Sequence, residues 1–279
     1  MSSTHLQCQI WSLFSVLSIF YNGVAERCKA LYINSLHSYL IEIDRTLEPN
    51  LRKTMVDTLT NLEEEASRRA AAILAGSSPV PLQEGPKWIG RIASQRQSEE
   101  ASHCYQLQAD LSGLLLAMRP ANVLLTGIEP YKNGWLATSA PDDDGRYNGY
   151  VYVDGQNSIE MVGVLHVGPW LTESRTWWPG VYELQLLKEL PTTVRQLISK
   201  LDVPAPHYLF MNLGDMHDTA IVTESDDGIE RPFPIPADSN TMKFTPVLLD
   251  KLTYRESAVN SLNKIRQVIG LKSSRPFYL

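Results

Sequence analysis

The chain has 279 residues, of which 43% are hydrophobic and 20% are charged. These values are typical of a folded protein and exclude a mainly disordered, a collagenous or a disulfide-scaffold chain. The 25 Lys and Arg residues against 31 Asp and Glu residues give a net charge of −6, which argues against a protein that mainly coats nucleic acid. Cys8, Cys28 and Cys104 form no CxxC pair, so the sequence predicts neither a zinc ribbon nor a disulfide framework and favours the reducing cytoplasm.

The first part of the chain is predicted to be helical. Residues 10–21 are strongly apolar, but these twelve residues are too few to span a membrane, and no Lys or Arg precedes them as in a signal peptide. We therefore predict no membrane segment, a buried helix over residues 4–24 and a second helix over residues 26–43. A helix that is apolar almost all round must be covered on several sides, which predicts assembly of these helices within a bundle or an oligomer.

A third, amphipathic helix is predicted after Pro49. Its apolar residues recur at three- and four-residue spacing: Leu51, Met55, Leu59, Leu62, Ala66, Ala70 and Ile73. Glu65 and Arg69 are spaced as an i,i+4 ion pair on this helix. Gly76 is predicted to end it, and residues 77–81 have the composition of a linker. We predict a helical N-terminal unit over residues 1–76, then a linker and connecting helix over residues 77–121.

From Val123 onward short runs rich in Val, Ile, Leu and Tyr alternate with turn residues, so strands are predicted to begin here. The predicted strands cover residues 123–128, 134–138, 149–153, 158–167, 208–213, 219–223 and 241–248, with 208–213 and 219–223 as a hairpin. A helix over residues 181–201 is interrupted by Pro191, and a last amphipathic helix ends at Gly270. Strands and helices in this mixed order predict an α+β fold, with an α+β domain over residues 122–279.

Sequence motifs of the common enzyme classes are missing: the chain contains no GxGxxG, GxxxxGK[ST], GxSxG or HExxH. The run from Asp215 to Asp218 contains two carboxylates and an imidazole, which are ligands for a divalent cation. Gly, Asp and His also suit an exposed turn, and we favour a polar hairpin tip. A metal site at Asp215, His217 and Asp218 is the alternative interpretation, and no cofactor or catalytic residue is predicted.

The segment from Pro169 to Gly180 is rich in tryptophan. It contains Arg175 together with Trp170, Trp177 and Trp178. Trp and Arg are the side chains that most often carry binding energy at protein interfaces. Two adjacent tryptophans can instead cover a core. We predict a partner-binding surface formed by these four residues, with at least one of Trp177 and Trp178 substantially exposed.

Several segments of the second half occur in an order that suggests a family. The segments are residues 125–129, 152–160, 182–183, 201–206, 208–213 and 268–271. Their order resembles the C-terminal region of bacterial proteins that carry a Schlafen-type AlbA domain, a DNA-binding or ATP-binding domain, at their N-terminus. The resemblance covers about residues 122–279 and implies a fold for this half and a bacterial, cytoplasmic setting. Residues 1–80 contain no counterpart of the family's N-terminal domain, so its binding activity is assigned to no residue of this chain.

Two functions are compatible with the sequence. The favoured one is a non-catalytic interaction or regulatory protein that binds a protein partner, or itself, through its N-terminal helices and the tryptophan-rich surface. The alternative is a metal-dependent hydrolase that uses Asp215, His217 and Asp218 with a distant carboxylate such as Glu160. Direct nucleic-acid binding is a further alternative that follows from the family resemblance, and the acidic second half opposes it.

Overall fold

The structure, a computed structural model, describes residues 49–94, 109–155, 158–170, 173–201, 203–225, 227–250 and 252–271. The chain divides into two compact units, and the second, Asp57–Leu279, holds every described strand. The helices predicted over residues 4–24 and 26–43 lie outside the described residues, as do the three cysteines.

The described residues form an α+β fold, which confirms the predicted fold class. The α-helices are α1 (Pro49–Leu74), α2 (Ala109–Ala117), α3 (Pro179–Leu184), α4 (Leu190–Lys200) and α5 (Tyr254–Val268). The strands are β1 (Lys87–Ser94), β2 (Gly127–Tyr131), β3 (Gly134–Thr138), β4 (Gly149–Val153), β5 (Ile159–Val164), β6 (Gly168–Trp170), β7 (Glu173–Trp177), β8 (His207–Gly214), β9 (Ala220–Glu224), β10 (Glu230–Pro234), β11 (Met242–Lys243) and β12 (Val247–Leu248). Gly76 has a φ of 91° and Gly270 a φ of 82°, the left-handed conformation expected of a residue that ends a helix.

The larger sheet is antiparallel, with the strand order β11-β8-β1-β5-β4-β3-β2 and β12 also paired with β8. Strand β1 lies inside it, paired with β5 on one edge and with β8 on the other. The prediction that strands begin only near Val123 is therefore wrong, since β1 lies within the predicted linker, whereas the connecting helix predicted within residues 77–121 is present as α2. Strand β1 is buried along nearly its whole length, so it lacks the apolar and polar alternation that marks a half-exposed strand.

Helices cover both faces of this sheet. Trp88 and Ile92 of β1 point to one face, where they join a cluster of buried side chains from α2, α3, α4 and α5. Ile89 and Ala93, one residue further along, point to the opposite face and pack with residues of α1. The predicted apolar stripe of α1 supplies Ala66, Ala70 and Ile73 to that contact. The domain therefore has three layers, with the sheet in the middle.

A buried ion pair joins α5 to α3. The Nη1 and Nη2 atoms of Arg266 lie 2.5 and 2.8 Å from the two carboxylate oxygens of Glu183, and both side chains are almost fully buried. The bidentate geometry satisfies both carboxylate oxygens, which offsets part of the cost of removing the charges from water. The same layer contains a hydrogen bond of 2.6 Å from the Tyr254 hydroxyl to the carbonyl of Leu186. These contacts fix α5 against α3 and the residues that directly follow it.

The helix predicted over residues 181–201 consists of α3, a π-helical segment over Gln185–Glu189, and α4. Pro191 lies in the first turn of α4, where a missing N–H costs little. Gln185 extends from the π-helical segment and donates a hydrogen bond of 3.1 Å to the Met118 carbonyl and accepts one of 3.0 Å from the Asn122 N–H. Its side chain therefore supports the tight turn that leads from α2 into the sheet.

The predicted hairpin of residues 208–213 and 219–223 is wrong in its pairing. Strand β8 belongs to the larger sheet, whereas β9 belongs to a second sheet with the order β10-β9-β7-β6. In that sheet β9 is parallel to β7. Asp215 and Asp218 between the two strands have φ values of 57° and 52°. At these two residues the chain leaves the larger sheet and enters the second sheet, so β9 does not pair with β8.

Within the described residues, no helix is long and apolar enough to cross a membrane.

Replacing Gly163 with Ala is expected to destabilise the domain. A Cβ atom at this β5 position would lie 2.4 Å from the backbone oxygen of Pro120, which cannot move without displacing the turn. We expect a loss of about 2 kcal/mol in the free energy of unfolding, measured by urea denaturation. The control is Gly113→Ala on α2, where a Cβ atom would meet nothing within 4 Å. This control is expected to stabilise by roughly 0.5 to 1 kcal/mol, and equal effects of the two variants would contradict the packing described here.

Candidate functional site

A surface cleft of about 430 Å³ lies beside the end of α1, between the turn that joins β2 to β3 and the turn that follows β4. We call it the Arg69 cleft. The lining side chains that matter most are three cations, two tyrosines and one carboxylate: Arg69, Arg91, Lys132, Tyr131, Tyr152 and Glu160. They come from α1, from four strands of the larger sheet and from the β2–β3 turn.

The strand register brings three of these side chains into one row. Arg91 of β1 is the partner of Glu160 of β5, and Glu160 is the partner of Tyr152 of β4. Partners across antiparallel strands share a face, so the row lies on one side of the sheet. Tyr150, two residues before Tyr152, packs with α1 in the same cluster as Ile73, which identifies this side as the α1 face. The sheet thus presents the row to the end of α1.

Glu160 is held at both of its carboxylate oxygens. Oε2 accepts a hydrogen bond of 2.5 Å from Nε of Arg69, and Oε1 accepts one of 2.9 Å from Nη2. Oε1 also accepts a bond of 2.7 Å from the Tyr150 hydroxyl. The hydrogen bond to Glu160 raises the pKa of Arg69. Burial, and then the charge of Glu160, raise the pKa of the Tyr150 phenol well above its ordinary value. The buried Glu160 and Tyr150 and the partly buried Arg69 form an anchor at the base of the cleft.

Arg91 and the two tyrosines build the walls. Nη2 of Arg91 donates a hydrogen bond of 2.7 Å to Oε1 of Glu65 on α1. The rings of Tyr131 and Tyr152 meet edge to face, with their centroids 5.5 Å apart. Burial, and then the charge of Asp154, raise the pKa of Tyr152. The exposed Lys132 places its Nζ atom 5.2 Å from the centre of the Tyr131 ring, at the mouth of the cleft.

Sequence reasoning missed this cleft because it paired the charged side chains of α1 only with one another. The predicted i,i+4 pair of Glu65 and Arg69 is wrong, since Glu65 pairs with Arg91 and Arg69 pairs with Glu160. Ion pairs across distant segments have no signature in spacing. One signal was present: Tyr150, Tyr152 and Asp154 alternate with Val151 and Val153, the pattern of a strand with one wet face.

The structure contradicts one residue of the predicted tryptophan-rich surface. Trp177 is 3% exposed and belongs to the main core cluster, with its ring centroid 6.1 Å from that of Tyr182. Its assignment as a partner-binding residue is wrong, because the strand β7 points its ring into the core. Trp178 is half-buried. The side chain of Trp170, the last residue of β6, lies outside the described part of the structure.

The structure brings Arg175 to the Asp215–Asp218 turn. Nη1 of Arg175 lies 3.3 Å from Nε2 of His217, and Nη2 donates a bond of 3.5 Å to the carbonyl of Asp215. The Asp215 carboxylate accepts a hydrogen bond of 2.8 Å from Nζ of Lys87. The cationic side chains of Arg175 and Lys87 thus bond the turn at which a metal ion would bind. Among the residues that the structure describes, no group of three His, Cys, Asp or Glu side chains could hold a metal ion. Glu160, the suggested distant ligand, bonds Arg69 instead.

No protein-family model, curated protein or solved structure matches this chain. The resemblance of residues 122–279 to AlbA-domain proteins therefore stays a prediction. A fold class alone does not define an activity, so the residues of the site carry the evidence for function.

Replacing Trp177 with Ala is expected to lower the free energy of unfolding by roughly 3 to 5 kcal/mol, as for a large core side chain. Urea denaturation followed by circular dichroism measures the loss. Trp178→Ala is the matched control and is expected to cost less, because its ring is only half-buried. A larger loss for Trp178 than for Trp177 would contradict the burial of the Trp177 ring.

Replacing Glu160 with Gln is expected to cost about 2 kcal/mol of stability, because it leaves the partly buried Arg69 guanidinium without its carboxylate. The figure is below that of a fully buried pair, since the Arg69 side chain is 30% exposed. The control is Glu84→Gln, which breaks a surface ion pair with Arg146 and is expected to cost under about 0.5 kcal/mol. Chemical denaturation of the two variants at pH 7 compares them, and similar losses would argue against an anchor at Glu160.

Proposed function

We propose that this chain is a non-catalytic interaction protein whose α+β domain binds an acidic segment of a protein partner in the Arg69 cleft. One observation carries the proposal: three cations and two tyrosines line a cleft whose buried carboxylate, Glu160, is already bonded at both oxygens. Guanidinium, ammonium and phenol groups recognise a partner without chemical change.

The bonding of Glu160 favours binding over catalysis. A general base needs a free lone pair within hydrogen-bond reach of the proton that it removes. The oxygens of Glu160 accept three hydrogen bonds from Arg69 and Tyr150, and the residue is only 2% exposed, so the group serves as an anchor and has little access to a substrate. Metal-dependent hydrolysis would need a ligand cluster, and the described residues contain none with three side chains.

The residue types of the cleft favour a protein partner. Tyr and Arg are enriched at protein interfaces, because Tyr presents a large surface and loses little conformational freedom on binding, and the Arg guanidinium donates several hydrogen bonds. The cleft opens beside two turns of the sheet, where an extended segment has access to Lys132 and Tyr131. The net charge of −6 opposes a long nucleic acid as the natural ligand.

Three predictions from the sequence are part of the proposal. Arg175 and the half-buried Trp178 form a second contact surface for the partner, without Trp177. The N-terminal helices over residues 4–24 and 26–43 supply self-association or partner assembly. The setting is the bacterial cytoplasm, as the family resemblance and the cysteine usage predict.

A peptide selection tests the proposal. The intact chain is immobilised and used to select binders from a random peptide display library, and the enriched peptides are labelled for fluorescence anisotropy. We expect peptides rich in Asp and Glu, whose affinity falls about tenfold for Lys132→Glu because a charged contact becomes repulsive. Lys188→Glu is the matched control: this exposed lysine lies on the π-helical segment, in the layer on the opposite face of the sheet, and its replacement should leave binding unchanged.

Two results would overturn the proposal. One is a set of selected peptides whose affinity is the same for the chain with Lys132 and with Lys132→Glu. The other is metal-dependent hydrolysis of a generic ester or phosphodiester that His217→Ala abolishes, which would establish the hydrolase instead.

A further inference from the structure

Most of the unused hydrogen-bonding groups in the Arg69 cleft are donors. Its two carboxylates already accept: Glu160 from Arg69 and Tyr150, and Asp154 from the backbone N–H and the hydroxyl of Ser158. The Tyr152 hydroxyl donates to Oδ1 of Asn133 at 2.9 Å, which also uses that amide oxygen. A ligand that fits this cleft must therefore bring acceptors.

The cations retain many donors within the described residues. Arg69 uses three of the five N–H groups of a guanidinium, two toward Glu160 and one toward the Ser77 carbonyl. Arg91 uses one, toward Glu65. The ammonium of Lys132 contacts the face of the Tyr131 ring and leaves its N–H groups to solvent. These donors belong to a helix, a strand and a turn, so they reach the cleft from different sides.

Donors on several sides distinguish a tetrahedral oxyanion from a carboxylate. A carboxylate is planar, and the fork of one guanidinium bonds both of its oxygens, as Arg69 does with Glu160. A phosphate monoester has three terminal oxygens and a charge of about −1.5 to −2 at pH 7, so it bonds several cations at once.

We propose that the acidic group that enters the Arg69 cleft is a phosphate monoester on a side chain of the partner. This inference rests on the proposed function, since it names the group that the cleft recognises. Arg69 and Arg91 make the direct bonds, and Lys132 closes over the phosphate at the mouth of the cleft.

Glu160 and Glu65 are the positioning residues of this site. Glu160 and the Ser77 carbonyl hold the Arg69 guanidinium in one orientation, and Glu65 holds that of Arg91. Guanidinium groups that are already ordered lose little conformational entropy when the ligand binds. The same carboxylates balance the cationic charge of the empty cleft, so that the site is stable without a phosphate.

The test compares three degenerate peptide libraries that differ only in a fixed central residue, which is phosphoserine, glutamate or serine. Fluorescence anisotropy measures their binding to the intact chain and to Arg91→Gln, Lys132→Gln and the control Lys188→Gln. We expect the phosphoserine library to bind at least about tenfold tighter than the glutamate library, and each cleft variant to lose about tenfold, the effect of one charge-assisted hydrogen bond. The control variant should bind like the unaltered chain, and inorganic phosphate should compete.

The pH dependence gives a second readout. The second pKa of a phosphate monoester is about 6, so phosphoserine binding should weaken as the pH falls below that value. Glutamate has an ordinary pKa of about 4.3, so binding of the glutamate library should not change over the same interval. A circular dichroism spectrum of Arg91→Gln shows whether it folds, and Lys132→Gln, at an exposed turn position, tests the cleft independently of it.

The outcomes separate the two proposals. Equal affinities of the phosphoserine and glutamate libraries, both reduced in the cleft variants, would overturn the phosphate inference and leave the proposed function standing. Binding of neither library, or binding that the cleft variants do not change, would overturn both. A mononucleotide that binds tighter than the phosphoserine library, and depends on Arg91 and Lys132, would show that the phosphate belongs to a small molecule and overturn the protein partner.

Discussion

The fold of this domain depends on the pairing of one strand, β1, with β5 and β8 at once. Its eight residues are in register with β8 from Lys87 to Ser94 and with β5 from Lys87 to Ile92. A shift of one residue would turn every side chain of β1 to the opposite face of the sheet. Trp88 would then leave the core cluster, and Arg91 would enter it. The cost of burying an unpaired guanidinium among apolar side chains makes this register strongly preferred.

The same register creates the Arg69 cleft. It places Arg91 beside Glu160 and Tyr152 on the α1 face, and α1 then brings Arg69 to Glu160 and Glu65 to Arg91. Each ion pair thus connects the helix layer to the sheet layer. A partly buried pair contributes little net stability over a well-packed apolar contact, but breaking it leaves an unpaired charge. The pairs therefore hold the helix in one position on the sheet and present the remaining N–H groups outward.

A second ion pair, Arg266 with Glu183, ties the opposite helical layer together and has a different character. It is almost fully buried, and its bidentate contact satisfies both carboxylate oxygens, which leaves no exposed donor directed at a cleft. The Arg69–Glu160 pair is more exposed on the arginine side, at 30%. Two pairs of the same chemistry thus have different consequences: one is a structural element of the core, and the other belongs to a surface where a ligand can reach it.

Local sequence patterns were enough to predict α1 with its end at Gly76, α5 with its end at Gly270, and the bounds of β3 and β4. Periodicity and end signals depend on neighbours along the chain, so the sequence carries them by itself. Only the tertiary structure decided that residues 87–94 form a central strand, that β8 and β9 belong to different sheets, that Trp177 is buried, and that Arg69 pairs with Glu160. Each of these depends on a segment far away in sequence. Such a contact depends on which faces of two distant segments pack together, and the spacing of residues within one segment does not indicate it.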